Sequence, residues 1–233
     1  MRNPAHASTA SLARNPREYT VEMPITGSFA LDEGRPPPQN LGLVATPSKH
    51  DAPTIDQAIG RIASAIAGRH ARTPQLLLLG IANGGIALAR RLATRLQSAG
   101  LKHGLGTIDI SFHRDDIGRH PIPKEFSPTI IPYDVNGATV ILVDDVLYSG
   151  RTVKAALAEL FDHGRPASVE LAVLVDRGGR KLPIAADYCG LTVTASDREK
   201  VVVNLGETIS PDDAVAVFAA GTAKPRPGRL PAA

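Results

Sequence analysis

Apolar residues recur with two different periods through the middle of this chain, and the two periods alternate. Ile55, Ile59, Ile62 and Ile66 share one helical face, with Thr54 as the expected N-cap. Gln75–Ile81 is a short, continuous apolar run, the pattern of a strand buried on both faces. Ala82-Asn83-Gly84-Gly85 predicts a tight turn, Ile86–Gln97 a second amphipathic helix, and Gly106–Phe112 a strand with alternation. Residues 113–135 hold charges and four prolines and predict a mobile loop. Val140–Val143 reads as a strand, Thr152–His163 as a helix and Val169–Asp176 as another strand. This alternation predicts an α/β fold, a mainly parallel twisted sheet with helices on both faces. Such sheets bind ligands beyond the carboxyl ends of their strands, where Asn83, Asp144, Asp145 and Asp176 are expected.

The flanks have no such period. Residues 1–50, with EGRPPPQN and ATPSKH, predict a disordered, Pro-rich extension. Its first seventeen residues carry Arg, Ser and Ala without an acid, as organellar transit peptides do. A bacterial tail, or an early start with Met23 as the alternative, is the expectation. Residues 221–233 predict a second disordered tail, leaving 51–220 as the folded domain.

Composition narrows the class. The chain has 233 residues, 43% hydrophobic and 21% charged, which fits a globular protein. Its formal net charge of +3 sits in the flanks: between residues 51 and 220 there are 18 of the 26 basic and 19 of the 23 acidic residues. Net charge therefore does not argue for a nucleic-acid surface. The single cysteine, Cys189, excludes an internal disulfide framework and suits a reducing cytoplasm. No apolar run approaches the ~18–20 residues needed to cross a bilayer, so no membrane association is expected.

The candidate chemistry lies in Val140–Thr152, VILVDDVLYSGRT. A strand runs into two carboxylates, a hydroxyl-and-glycine loop follows, and then a helix begins. The carboxylates can accept from the two hydroxyls of a ribose. The loop can offer backbone N–H groups, two hydroxyls and Arg151 to a phosphate, helped by the helix dipole. An isolated acid pair more often caps the next helix. The full string is harder to explain so, and it is neither a Walker loop nor a dinucleotide fingerprint. The turn GIANGG, Gly80–Gly85, could bring backbone amides to an anion such as pyrophosphate. SFHRDDI, Ser111–Ile117, carries Arg114 into the Pro-rich loop. Leu171–Gly190 could form a hood over a base.

The string resembles the phosphoribosyl-pyrophosphate (PRPP) motif of type I phosphoribosyltransferases. Taken in order, SFHRDD, VILVDDVLYSGRT, HGRPASVELAVLVDRG, LPIAADYCG and REKVVVNL resemble the pyrimidine-operon regulatory protein (PyrR) family over roughly Thr54–Phe218. The resemblance implies a type I phosphoribosyltransferase-like sheet with a small hood. It also implies a cytoplasmic homodimer or higher oligomer that binds uridine nucleotides (UMP, UTP) and pyrimidine-operon mRNA, and that converts uracil and PRPP to UMP and pyrophosphate. Mg²⁺ would be held mainly through PRPP, with no protein metal cage. Asp144 and Asp145 would hold the ribose hydroxyls; Val146, Leu147, Tyr148, Ser149, Gly150, Arg151 and Thr152 the 5′-phosphate. Asn83 and Gly84 would sit at pyrophosphate, Arg114 in the flexible loop, and Arg177 near the base together with the backbone near Val201. The implied catalytic set is Asp144, Asp145 and Arg114. RNA would meet Arg61, Arg180 and Lys181.

This chain departs from the family pattern at informative places. Asn83-Gly84 stands where the family usually has Thr-Arg, so the guanidinium that would pair with departing pyrophosphate is missing, and a reduced rate is expected. Gln57 and Gly60 flank Arg61, Gly179 stands where a histidine is usual, and Asp197 where a lysine is usual. Each lost cation weakens phosphate contacts to RNA. The expectation is the bifunctional regulator and uracil phosphoribosyltransferase. The alternatives are a catalytically weak nucleotide sensor, or a phosphoribosyltransferase for another base.

Overall fold

A computed structural model describes residues 49–111 and 128–219. The element order is β1 (Lys49–His50), α1 (Ala52–His70), β2 (Leu76–Ile81), α2 (Gly84–Ser98), β3 (Gly104–Ile108), β4 (Thr139–Leu147), α3 (Arg151–Asp162), β5 (Ser168–Asp176), β6 (Tyr188–Thr192), β7 (Glu199–Asn204) and β8 (Ala214–Ala219). The main sheet is parallel throughout, in the order β3-β2-β4-β5-β6. From β2 the chain moves outward to β3, then returns across β2 to β4 and continues the other way. The strand order reverses between β2 and β4, so the crevice for a ligand lies at their carboxyl ends.

The core follows from strand alternation. Leu76, Leu78, Ile141 and Val143 face α1 and α2, burying Ile55, Ile59, Ile62, Ile66, Leu88 and Leu92. Leu77, Leu79, Val140, Leu142 and Val173 face the other way, against Val153, Ala156 and Leu160 of α3. The four isoleucines of α1 are each at most 1% exposed, as their spacing predicted.

Several boundaries differ from those expected. The cap of α1 is Asp51, whose Oδ1 accepts from the Thr54 N–H at 3.1 Å; Thr54 is inside the helix, because Pro53 suits a first turn that needs no donor there. β3 spans Gly104–Ile108, starting two residues and ending four residues before the predicted Gly106–Phe112. After it, Asp109 Oδ1 accepts from the Ser111 N–H (3.1 Å) and hydroxyl (2.7 Å), a local turn that ends the strand. β4 continues through both acids to Leu147, and α3 begins at Arg151. Part of the expected mobile loop is paired: Ile130 bridges Thr107 on the edge strand.

The hood also comes from elsewhere. Leu171–Asp176 and Tyr188–Gly190 are strands of the main sheet. A separate antiparallel sheet, β1-β8-β7, forms the smaller layer and buries Val201, Val215 and Val217 against the α1–α2 side. Lys49–His50, inside the segment expected to be disordered, is one of its strands. The rest of the N-terminal extension, the C-terminal tail and residues 112–127 lie outside the described residues. No described helix is long and apolar enough to cross a membrane.

The small sheet is tied to the helices by charge. Arg91 of α2, 4% exposed, donates to Asp213 Oδ2 at 2.5 Å and to Asp56 Oδ1 of α1 at 3.0 Å. Asp213, 2% exposed, also accepts from the Gly206 N–H. Removing one partner of such a pair strands a buried charge, at a cost of about 3–5 kcal/mol. Asp213→Ala is therefore expected to lower the unfolding free energy by that amount in a urea titration, whereas Glu207→Ala, which releases only the exposed Arg90, changes it by less than about 1 kcal/mol.

Candidate functional site

The site is set by how closely α2 approaches β4. A Cβ at Gly85 would lie 1.9 Å from the Val143 carbonyl oxygen, so the helix begins directly against strand backbone. A Cβ at Gly84 would lie 2.4–2.6 Å from the carboxylate atoms of Asp145. The turn that the sequence assigns to pyrophosphate and the acid pair therefore face each other at contact distance. The Ala82–Asn83 peptide between β2 and α2 is cis. No acid occupies the first turn of α2, so its partial positive end meets the Asp145 carboxylate uncompensated.

Asp144 is 5% exposed and Asp145 half-buried. Asp144 Oδ1 accepts from the Asp145 N–H at 3.0 Å. Burial, and then the charge of Asp145, push the Asp144 carboxyl well above the ordinary carboxylate range. Burial also raises Asp145, while the Val146 N–H and Asp144 pull it back. The two behave as one site that holds a proton more readily than free carboxyls do. Donors brought by a ligand, such as vicinal hydroxyls, would relieve this unfavourable arrangement.

The loop that the sequence assigns to phosphate, Tyr148–Gly150, leads from β4 into α3. Gly150 has φ +88°, a left-handed conformation, and a Cβ there would press on Leu182 and Ile184. As N-cap it has no side chain to cover the first turn of α3, so the N–H groups of Thr152 and Val153 stay available to an anion. Ser149 Oγ accepts from the Arg151 N–H at 3.3 Å, and the Ser149 carbonyl accepts from the N–H groups of Lys181 (3.0 Å) and Leu182 (3.1 Å). The loop's carbonyls are thus turned into the protein.

Arg180 completes that work, a role the sequence reading did not foresee. Its Nη1 donates to the carbonyls of Leu147 (3.2 Å) and Tyr148 (2.9 Å), its Nε to Ile184 (2.9 Å), and its Nη2 to Asp176 Oδ2 (2.5 Å). Arg180 was expected at RNA; its guanidinium is occupied as a strut beneath the loop. The DRGGRK spacing places it there, but only the fold shows which carbonyls it meets. Lys181 is exposed beside it. Arg61 lies on α1, and its guanidinium donates to the Gly190 carbonyl of β6 at 2.8 Å.

Arg177 follows β5 and is 7% exposed. Its guanidinium donates to the carbonyls of Glu199 (3.1 Å) and Ser196 (2.9 Å) and stacks over the Tyr148 ring, 3.9 Å from the centroid. The Val201 side chain belongs to the core, so only its backbone could meet a ligand. The structure thus brings together Asn83, Gly84, Asp144, Asp145, Val146–Thr152 and, through Tyr148, Arg177. Arg114 lies outside the described residues.

Comparisons with known proteins agree with this geometry. Residues 49–206 match the family described as the phosphoribosyl transferase domain. Over 159 residues, 67% of this chain and 86% of the relative, it is 48% identical to the bifunctional protein PyrR of Roseiflexus sp. (strain RS-1). It is 49% identical to the bifunctional protein PyrR of Streptomyces coelicolor, again over 159 residues and 82% of that protein. Among solved structures, the hypoxanthine phosphoribosyltransferase of Trypanosoma cruzi is similar with a TM-score of 0.55 at 19% identity, covering 72% of this chain and 94% of that one. A hypoxanthine-guanine phosphoribosyltransferase of Bacillus anthracis is similar with a TM-score of 0.53 at 16% identity, covering 73% and 99%. At such identities these two structures establish the fold alone.

Two predictions follow from the geometry of the acids and glycines. Because the folded Asp144 carboxyl titrates above its unfolded value, it favours folding only while protonated, and that contribution is lost as pH rises above about 4. Asp144→Asn is expected to melt several degrees higher than the parent protein at pH 7.5, with the gap closing toward pH 4, in paired thermal scans. The glycines should separate by role. Gly84→Ala displaces the short Asp145 side chain, leaving Tm nearly unchanged while PRPP affinity falls. Gly85→Ala meets backbone and lowers Tm steeply; calorimetric titration and thermal unfolding of both variants distinguish the two.

Proposed function

Because this chain belongs to the phosphoribosyl transferase domain family, in its pyrimidine-operon regulatory (PyrR) branch, we propose that it binds PRPP and uridine nucleotides and forms UMP from uracil and PRPP, coupling that pocket to regulation of pyrimidine genes. The observation that carries this reading is the buried acid pair at the end of β4, facing the N-terminus of α2 on one side and followed by the α3 phosphate loop.

Asp144 and Asp145 accept hydrogen bonds from the two ribose hydroxyls and so fix the anomeric carbon. The N–H groups at the start of α3 and the Ser149 and Thr152 hydroxyls hold the 5′-phosphate. The N–H groups at Gly84 and Gly85 meet the pyrophosphate, where Gly85 lets the first turn of α2 lie directly against β4. Uracil N1 then bonds to the anomeric carbon as the bond to pyrophosphate oxygen breaks, and the N1 proton is lost to solvent. The protein's part is orientation and charge stabilisation, without a covalent intermediate on a side chain.

No group of three acidic, histidine or cysteine side chains suited to a metal exists among the described residues. Two carboxylates on adjacent residues fit Mg²⁺ only together with PRPP oxygens and water. When bound, Mg²⁺ neutralises charge on the leaving pyrophosphate.

Gly84 supplies no cation for that charge, so turnover is expected to fall about 10²-fold below that of an enzyme with a guanidinium there. RNA binding is the regulatory half of the proposal. Lys181 and Arg61 remain candidate contacts, and the occupied guanidinium of Arg180 supports a weaker RNA surface. In a coupled assay with uracil, PRPP and Mg²⁺, slow UMP formation together with firm UMP binding is the expected result; failure to bind UMP overturns the reading. A panel of other bases tests the choice of uracil. A gel shift at physiological salt with the leader RNA of the chain's own pyrimidine operon tests the regulatory half.

A further inference from the structure

Tyr148 has no assigned task beyond membership of the phosphate loop, yet three of the chain's features converge on it. Its hydroxyl donates to Asp197 Oδ1 at 3.0 Å, on the loop between β6 and β7. Its ring lies under the Arg177 guanidinium, 3.9 Å from the centroid. A Cβ at Gly179, which has φ +75°, would lie 2.5 Å from Tyr148 Cε2, so the ring occupies the space that a side chain there would need. Two of these residues, Asp197 and Gly179, are positions where the family resemblance leads one to expect a lysine and a histidine. Here they fit Tyr148: a carboxylate to accept its hydroxyl, and a glycine to admit its ring.

The other end of the contact is equally well defined. Arg177 holds the carbonyls of Ser196 and Glu199, and the Glu199 carboxylate accepts from the Ser196 N–H and hydroxyl, each at 2.8 Å. Ser196–Glu199 is thus a closed turn fastened at two points, Arg177 and Tyr148, to the phosphate loop. Arg177 Nε is buried without a hydrogen-bond partner, a donor left unmet at the same spot. A ribose held by Asp144 and Asp145 carries its base away from the phosphate loop.

We infer that Tyr148 is a positioning residue that joins the ribose-phosphate loop to the Ser196–Glu199 turn through Asp197 and Arg177, so that the wall beside the base is set before ligand arrives. The inference rests on the reading that this loop holds ribose 5-phosphate. Its physical content is preorganisation: a turn already fastened does not lose its freedom on binding. The latch matters for a ligand that carries a base and not for one that lacks it.

The experiment is calorimetric titration of the full chain with UMP, which carries a base, and with PRPP in Mg²⁺, which does not. Tyr148→Phe keeps the ring over Arg177 and removes only the hydroxyl; Asp197→Ala removes the acceptor that the hydroxyl meets. Each is expected to weaken UMP about five- to tenfold and to leave Tm within a few degrees, and the Asp197 variant, outside the loop, to leave PRPP within twofold. The double variant is expected to be no weaker than either single one, because both break the same bond. Unchanged UMP affinity in both variants overturns the inference. So does an equal loss for UMP and PRPP in the Asp197 variant, or a loss that adds up in the double variant, since each marks a general structural effect. A parent protein that binds neither ligand overturns instead the ribose-phosphate reading on which the inference stands.

Discussion

A helix can begin against the backbone of a neighbouring strand only where nothing projects between them, and the site of this protein depends on that contact. Gly85 brings the first turn of α2 onto the Val143 carbonyl, and Gly84 brings it onto the Asp145 carboxylate. Strand order supplies the rest, because the reversal between β2 and β4 opens a crevice at the same place. A side chain at Gly85 would meet strand backbone and part the two elements, whereas one at Gly84 would have only the Asp145 carboxylate to displace.

Burial sets the chemistry of that crevice. Asp144 and Asp145 lie side by side in a desolvated place, and burial raises both carboxyls above the ordinary range. The loop that follows is treated in the opposite way. Its carbonyls are absorbed by Arg180, Lys181 and Leu182, so that N–H groups remain to face the ligand. One end of the site therefore accepts hydrogen bonds and the other donates them, matching a ribose at one end and a phosphate at the other.

Asp197 and Gly179, read alone, subtract cations from an RNA surface. In the folded chain they belong to Tyr148, which ties the phosphate loop to the β6–β7 turn. Gly84 is different: no described contact replaces the guanidinium expected there, and the space is taken by Asp145. The first two departures have a compensating partner and the third is a net loss of charge at pyrophosphate.

Much of this was legible in the chain. The isoleucine period of α1, the apolar runs of β2, β4 and β5, and the string from Asp144 to Thr152 each encode a local physical preference, so periodicity identified the parallel sheet and loop chemistry a candidate ribose-phosphate site. β1, β7 and β8 were not legible as a sheet, because their pairing joins residues 49–50 to 214–219 across the whole domain and no local pattern records it. The cap at Asp51 and the early end of β3 turned on side-chain hydrogen bonds that compete with strong apolar periods nearby. The roles of Arg180, Arg177 and Tyr148 were decided by tertiary structure alone. A guanidinium in a basic, glycine-rich loop can face nucleic acid or backbone equally well, and only the folded positions of Leu147, Tyr148, Ser196 and Glu199 set which carbonyls it meets. The sequence determined the chemistry on offer, because the residue types carry it; the tertiary structure decided which side chains face the crevice and which hold the others in place, because that depends on distances between segments far apart in the chain.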